Sequence, residues 1–317
     1  MVVNREFKFI SQKFDIPHKF SSKIWEIRES VVLREEIDSE DFVYGEIAPV
    51  PGFPNQPSIK RVLQEAEMWR SHEKLPECSA LLPALSCMTS KIWNESEYEK
   101  NKHLSGSLLL NSTTTGDHYP AVKRKIGLMP VKEEVIIIKE WLKGLETNCH
   151  VRLDANGSLT IEEMKLWAEA LANETRIQFL EQPLGDDSRD QLFAFAEHSP
   201  IPLAIDETIV ALGNPYLAFK KGWSGYFVIK PTLLKDWNSS LDFVKEFPSK
   251  SILSTAFESP FGYEALIRAC GYSELDPGIT RAPFSQLDTE LSCHHGNNLS
   301  SPAASQTELN ELWSKII

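Results

Sequence analysis

Positive charge is scarce in this chain. Lys and Arg number 33 against 45 Asp and Glu, a net charge of −12 with histidine neutral. No basic stripe offsets that balance, which excludes a nucleic-acid surface. The excess acid reads as a solvated face that suits solubility. Cysteine is also sparse. Cys78, Cys87, Cys149, Cys270 and Cys293 are odd in number, scattered and free of any CxxC spacing. That pattern predicts a reducing, cytoplasmic setting and no disulfide framework. Cys293-His294-His295 is the one cluster of metal-type side chains, but no matching ligands stand at finger spacing, so it reads as surface rather than zinc. No apolar run approaches 18 residues, which predicts no membrane insertion. Met1-Val-Val-Asn-Arg5 shows no charged and then apolar leader, which predicts no signal peptide. GxGxxG and GxxxxGK are both missing, so nucleotide binding has no support. There is no low-complexity tract.

What is present is ordinary globular composition, 42% hydrophobic and 25% charged. At 317 residues the chain suffices for one barrel or two domains of common size. Its texture changes near residue 110. Before that point Lys23–Arg34 and Phe42–Ile47 alternate as antiparallel strands, with 37–41 as the turn. Ala48–Pro54 carries three prolines and reads as a loop. Ile59–Trp69 and Cys78–Trp93 read as helices, and Leu104–Asn111 as the first strand of a barrel.

After about 115 strand and helix alternate, the signature of an α/β fold. Val131–Leu145 is expected to be helical. Thr160-Ile-Glu-Glu163 and Ser188-Arg-Asp-Gln191 read as capping boxes, and Asn214-Pro215 as an N-cap followed by proline at the first helical position. Asp236–Phe247 and Ser259–Cys270 complete the helices. Short apolar runs between them each end on a polar residue: Lys125, Asp154, Glu181, Asp206, Lys230 and Ser254. Their spacings are 29, 27, 25, 24 and 24 residues. A doubly wound sheet shows the same rhythm, but it builds its site near one switch point. Consecutive strands that all feed one site need closure, and in a (β/α)8 barrel these ends share one face.

That face would gather three carboxylates between lysines. Each acid alone reads as a strand-end turn former. Three converging carboxylates repel unless a cation neutralises them, and hard oxygen donors suit Mg²⁺, with Mn²⁺ as the alternative. Lys123 and Lys125, two apart on a strand, point to one face. Lys125 lies nearer the strand end, and Lys230 approaches from the other side of the mouth. A lysine beside a cation and a second lysine is pushed toward neutrality, as a general base requires. A base next to a metal that holds a carboxylate suggests removal of the α-proton of a small-molecule carboxylate substrate, with the metal stabilising the enediolate.

The order Lys-x-Lys (123–125), Arg-Leu-Asp-Ala-Asn around Asp154, Phe-Leu-Glu-Gln-Pro around Glu181, Ile-Asp-Glu-Thr around Asp206 and Ile-Lys-Pro-Thr around Lys230 closely resembles the muconate-lactonizing branch of the enolase superfamily. Within that branch, Gly45-Glu-Ile-Ala-Pro-Val-Pro-Gly-Phe53 and Ser254-Thr-Ala-Phe-Glu-Ser-Pro-Phe-Gly262 are similar to the o-succinylbenzoate synthases. The resemblance spans about residues 23–282. It implies an α+β capping domain, 1–112, on which the C-terminal segment 295–317 packs, and a modified TIM barrel, (β/α)7β, over 113–294. It further implies a lyase of menaquinone or phylloquinone biosynthesis, a dehydratase acting on 2-succinyl-6-hydroxy-2,4-cyclohexadiene-1-carboxylate. Asp154, Glu181 and Asp206 match its Mg²⁺ ligands. Lys125 matches the base that then helps hydroxide leave, and Lys230 the cation on the opposite face. Lys123, Arg152, Ser254 and Gly278 match positions lining the substrate pocket. Departures fall at 12–22, which is longer and less regular, at the weak eighth strand 277–280, and at the loop-rich 283–305. The rival is an N-succinylamino acid racemase or dipeptide epimerase. The Asp-x-Asp usual in the dipeptide epimerases is missing from 278–292.

Overall fold

The computed structural model describes residues 4–20, 23–38, 41–94, 102–105, 108–110, 120–281, 284, 290–296 and 298–316. Its first layer is antiparallel. β1 (Arg5–Phe20) and β2 (Lys23–Asp38) form a long hairpin, and β3 (Asp41–Ile47) pairs with β2 from Val31↔Ile47 to Asp38↔Asp41. Sequence reading assigned no element to β1. Its inward-facing residues include Ile10, Gln12 and Phe14, and the polar Gln12 breaks the apolar alternation although it is itself buried.

α1 (Ile59–Arg70) is capped by Ser58, whose side chain accepts from the Arg61 N–H. The single helix expected over Cys78–Trp93 is instead a short α2 (Leu82–Met88) and a 3₁₀ turn, Lys91–Trp93. Ser79 Oγ and the Ala80 N–H both donate to Glu65, which holds 79–80 in a turn. Pro83 then falls in the first turn of α2, where its missing N–H costs nothing. The expected strand Leu104–Asn111 also divides, its last residue lying outside those described. β4 (Lys102–Ser105) pairs antiparallel with Asn298–Ser301, while β5 (Leu108–Leu110) joins the main sheet.

That sheet is parallel. β5, β6 (Ala121–Lys125), β7 (His150–Asp154), β8 (Ile177–Glu181), β9 (Leu203–Ile205), β10 (Tyr226–Ile229) and β11 (Ser251–Leu253) lie side by side in chain order. A doubly wound sheet reverses its order at a switch point; a monotonic order is that of a curling barrel. Crossover helices follow six of these strands. They are α3 (Val131–Lys143), α4 (Ile161–Leu171), α5 (Arg189–Ala196), the pair α6 (Glu207–Leu212) and α7 (Pro215–Lys220), α8 (Trp237–Glu246) and α9 (Pro260–Cys270). α4 shows the construction. Thr160 and Glu163 complete a capping box, and Met164, Trp167, Ala168 and Leu171 form the buried stripe. Asn214 caps α7 with its side chain, as expected, and Asp236 does the same for α8. The box expected at Ser188 is not formed. A 3₁₀ turn at Asp186–Ser188 leaves Ser188 out of the extended conformation that an N-cap side chain needs. The eighth strand position is a single parallel bridge, Ser254↔Gly278. A Cβ at Gly278 would stand 2.8 Å from Ser254 Oγ and 3.2 Å from its Cβ, so a larger residue would crowd the bridge.

β12 (Asn298–Ser301) and α10 (Gln306–Lys315) end the chain. α10 packs on the antiparallel sheet. Tyr44 donates to Asn310 Oδ1 at 2.7 Å, and Trp313 Nε1 to Glu6 at 3.0 Å. The reading of 293–295 as surface is corrected in part: His294 is fully buried, its Nε2 2.9 Å from Glu264 of α9. Glu264 also accepts from Arg268 and from the Ala303 and Ala304 N–H groups. Sequence distance concealed this knot, since Glu264 lies 30 residues from His294 and 40 from Ala304.

Candidate active site

Strand register sets the site. Lys125 pairs with Asp154 and Asp154 with Glu181, so these three end residues share one row across β6, β7 and β8. Adjacent strands are about 4.8 Å apart, which brings the three side chains into mutual reach. One row deeper, Lys123 pairs with Arg152. Asp206 and Lys230 follow the last residues of β9 and β10. The five expected residues therefore meet at the C-terminal end of the sheet, where Asp154, Glu181, Asp206 and Lys230 are nearly fully buried.

The lysines differ in character. Lys123 reaches up from its deeper row, and its Nζ lies 2.7 Å from both Asp154 Oδ2 and Glu181 Oε1. Burial opposes its charge, but Asp154, Glu181 and Asp206 outweigh burial and hold the ammonium far above lysine's usual range. Lys230 pairs with Asp206 Oδ2 beneath the ring of Phe53, 5.1 Å from the ring centre. Burial again opposes its charge, and Asp206 with Glu181 and Glu207 raises the pKa. Lys125 goes the other way. Burial lowers it and Lys123 adds to the effect, while Asp154 and Glu207 only partly compensate.

The carboxylates are short of positive charge even so. Burial, then Asp154 and Asp206, push Glu181 up to about 7 against the pull of Lys123 and Lys230. Burial, Asp206 and Asp154 push Glu207 up to about 8. For Asp154 burial is outweighed by Lys123, and its carboxyl stays below the usual range. Among the described residues no three acids, histidines or cysteines stand gathered at metal-ligating spacing, the ammonium groups lying between the carboxylates instead. The donor set still fits a hard divalent cation. It offers three oxygen ligands from neighbouring strand ends, an Asp206 Oδ1 that is buried without a partner among the described residues, and a Glu181 whose pKa burial, with Asp154 and Asp206, raises to about 7.

The residues expected to line the pocket divide. Ser254 and Gly278 meet at the eighth strand position, Ser254 Oγ donating to the Gly278 carbonyl at 3.1 Å. Arg152 is committed inside the barrel, to Gln178 Oε1 at 2.6 Å and the Asp276 carbonyl at 2.6 Å. Lys123 is committed to the carboxylates.

Three further residues, Gln182, Asn156 and Glu207, were passed over in the sequence although each adjoins a chosen one or lies two positions on. Gln182, fully buried at φ +37°, accepts from the Asp206 and Thr208 N–H groups and donates to Thr208 Oγ1 and the Leu184 carbonyl. It fixes the backbone that carries Asp206 to the strand bearing Glu181. Asn156, at φ +44°, donates its N–H to Asp154 Oδ1 and its Nδ2 to Glu207. Only their neighbours in Asp-Ala-Asn, Glu-Gln-Pro and Asp-Glu-Thr could have drawn attention to them.

Known proteins resemble this chain in sequence and in fold. The family described as Enolase C-terminal domain-like matches residues 110–233. An o-succinylbenzoate synthase of Thermosynechococcus vestitus is 25% identical over 292 residues, 82% of this chain and 86% of that one. That of Salmonella paratyphi B is 28% identical over 262 residues, 76% and 78% of the two chains. Among solved structures, o-succinylbenzoate synthase from Thermosynechococcus elongatus BP-1, complexed with Mg in its active site, superposes with a TM-score of 0.78 at 21% identity, covering 98% of this chain and 99% of that one. The L-Ala-D/L-Glu epimerase of Bacillus subtilis gives 0.75 at 15% identity, covering 94% and 95%. Residues 110–233 thus match an enolase-type C-terminal domain, and along most of its length the chain is similar in sequence and fold to enzymes of the enolase superfamily.

Proposed function

We propose that the protein is an o-succinylbenzoate synthase, a Mg²⁺-dependent lyase that dehydrates 2-succinyl-6-hydroxy-2,4-cyclohexadiene-1-carboxylate. The observation that carries this reading is that relatives named o-succinylbenzoate synthase match over 71–82% of this chain, whose lysines stand at strand ends on either side of three carboxylates. Lys125 is held below lysine's usual range and Lys230 above it. A reaction that needs a base on one face and a fixed cation on the other fits that pair.

Asp154, Glu181 and Asp206 would hold the metal. When bound, Mg²⁺ supplies positive charge against the substrate carboxylate as it gains its second negative charge. Lys125 takes the α-proton, and the charge that develops is met on the other side by the Lys230 ammonium. The carbon–oxygen bond to the ring hydroxyl then breaks with its electron pair on oxygen, and the Lys125 ammonium returns a proton to it as water. One lysine serves both steps when proton and hydroxyl leave from the same face, a syn elimination. Phe53 over Lys230 keeps bulk water from that cation. For the epimerase reading, the one acid among the described residues of 278–292, Glu290, is already bonded to Arg281 and Gln12. It is therefore not free to hold a substrate ammonium.

The test is turnover of the cyclohexadiene carboxylate by purified protein beside a panel of N-succinylamino acids and dipeptides. Dehydration well above any racemisation is expected. Racemisation without dehydration would replace this reading with its rival.

A further inference from the structure

β1 leaves regular pairing at one place. Lys13 pairs with Ile27 and His18 with Trp25, so Phe14-Asp-Ile-Pro17 stands opposite a single residue, Glu26. Pro17 brings no N–H to the ladder. Bulges re-aim side chains and recur beside active sites. This one turns Phe14 and His18 onto the loop after β11. Phe14 lies 5.5 Å from Phe257 and 4.9 Å from Phe284, ring centre to ring centre. His18 lies 4.8 Å from Phe257 and 4.5 Å from Phe14, and Trp25 closes the box 4.8 Å from Phe14.

The box is fixed to the barrel mouth. Phe257 comes three residues after Ser254, which ends the β11 run. It is held at φ +62°, a left-handed conformation strained for a phenylalanine. Its carbonyl accepts from Arg28 Nε at 2.9 Å, and its N–H donates to Thr255 Oγ1 at 2.8 Å. Within this apolar box one polar atom is unaccounted for. His18 Nε2 is buried and has no hydrogen-bond partner among the described residues. An unmet buried polar atom is costly, and such atoms are rare enough to require a reason. Burial, with Lys125 close by, keeps the imidazole below histidine's usual pKa. A neutral ring in its Nε2–H tautomer is a donor.

We propose that His18 binds the substrate through Nε2, donating a hydrogen bond to the ring hydroxyl that leaves and turning it toward Lys125. This rests on the dehydratase reading above. It adds a residue that neither gains nor loses a proton: the carbon–oxygen bond breaks as before, Lys125 protonates the departing oxygen, and His18 holds that oxygen on the face Lys125 serves.

The experiment compares wild type, His18→Phe and His18→Gln, with thermal unfolding of each to confirm folding. Steady-state dehydration is measured, and so is solvent deuterium entering unreacted substrate in D₂O. Proton removal precedes hydroxide loss, so losing His18 should slow only the second step. The expected result for His18→Phe is kcat lower by roughly ten-fold, with more deuterium in recovered substrate per product formed. His18→Gln, which keeps a donor, should recover most of the loss. Equal slowing of exchange and elimination, or no rescue by Gln, overturns the assignment and leaves His18 a packing residue. A wild type inert toward the substrate overturns the dehydratase reading and this inference with it. An active wild type with an unchanged His18→Phe overturns this inference alone.

Discussion

Lys123, Lys125 and Lys230 show how far one residue type can be driven apart by position. Lys123 starts a row below the carboxylates and can only reach them by lying between Asp154 and Glu181. Lys125 ends the same strand two residues on, where Asp154 and Glu207 support its charge too weakly to offset burial. Lys230 is paired by Asp206 and roofed by Phe53. Lys125→Ala should lower dehydration by about 10³-fold or more while circular dichroism stays native, since a general base contributes on that order. Turnover within ten-fold of wild type would remove Lys125 from the chemistry. Lys230→Ala should cost about 10²-fold or more, and Lys230→Arg less, because Arg keeps the charge though not the shape. Equal kcat values for the two variants would make the side chain's reach, not its charge, the requirement.

At the scale of elements, polar side chains fasten pieces that periodicity treats as separate. Glu65 of α1 fixes the turn that splits the helix expected over 78–93. Burial opposes its charge, but bonds from Ser79, Arg61 and the Ala80 N–H outweigh that and depress its pKa. A depressed carboxyl pKa stabilises the fold above the unfolded value and is lost as pH falls through the folded value. Glu65→Gln should therefore cost about 1–2 kcal/mol in urea unfolding at pH 7, with the gap from wild type narrowing below the ordinary glutamate range. A gap that widens in acid contradicts the assigned bonds. Gly45 of β3 does the same work through its missing side chain. A Cβ there would stand 2.2 Å from the Ala84 carbonyl oxygen of α2, backbone that cannot swing aside. Gly45→Ala should lower stability by about 1–3 kcal/mol, readable as an earlier urea midpoint with an unchanged slope; an unchanged midpoint means sheet and helix can separate freely. Glu46, next in the chain, accepts from Ser259 and Gly262 and ties the same strand to the start of α9.

For the whole molecule, the monotonic parallel sheet lets five consecutive strand ends aim at one point. The folded state thereby accumulates buried negative charge that a divalent cation would relieve. Mg²⁺ should bind the native chain and not the unfolded one. It should add about 2.7 kcal/mol at a hundred times its Kd, seen as a rise in Tm. A chelator should abolish dehydration and Mg²⁺ restore it. A Tm indifferent to Mg²⁺, with activity that resists chelation, would defeat the three-carboxylate assignment.

The sequence alone determined the rhythm, because each βα unit needs its own apolar strand, cap and helix stripe, and these are local. Asp154, Glu181, Asp206, Lys125 and Lys230 were legible because each ends such a strand. What it could not carry was anything dependent on who lies opposite. Gln12 concealed β1 because burial of a polar residue is decided by Glu290, 278 positions away. Lys123 read as pocket lining, and only the register showed it spent on two carboxylates. His294 read as surface until α9 met the C-terminal segment over Glu264. The tertiary structure decided these because hydrogen bonds and ion pairs are satisfied in space. It also decided the chain's order around the barrel, since βα alternation is common to closed and open sheets and only strand neighbours tell them apart.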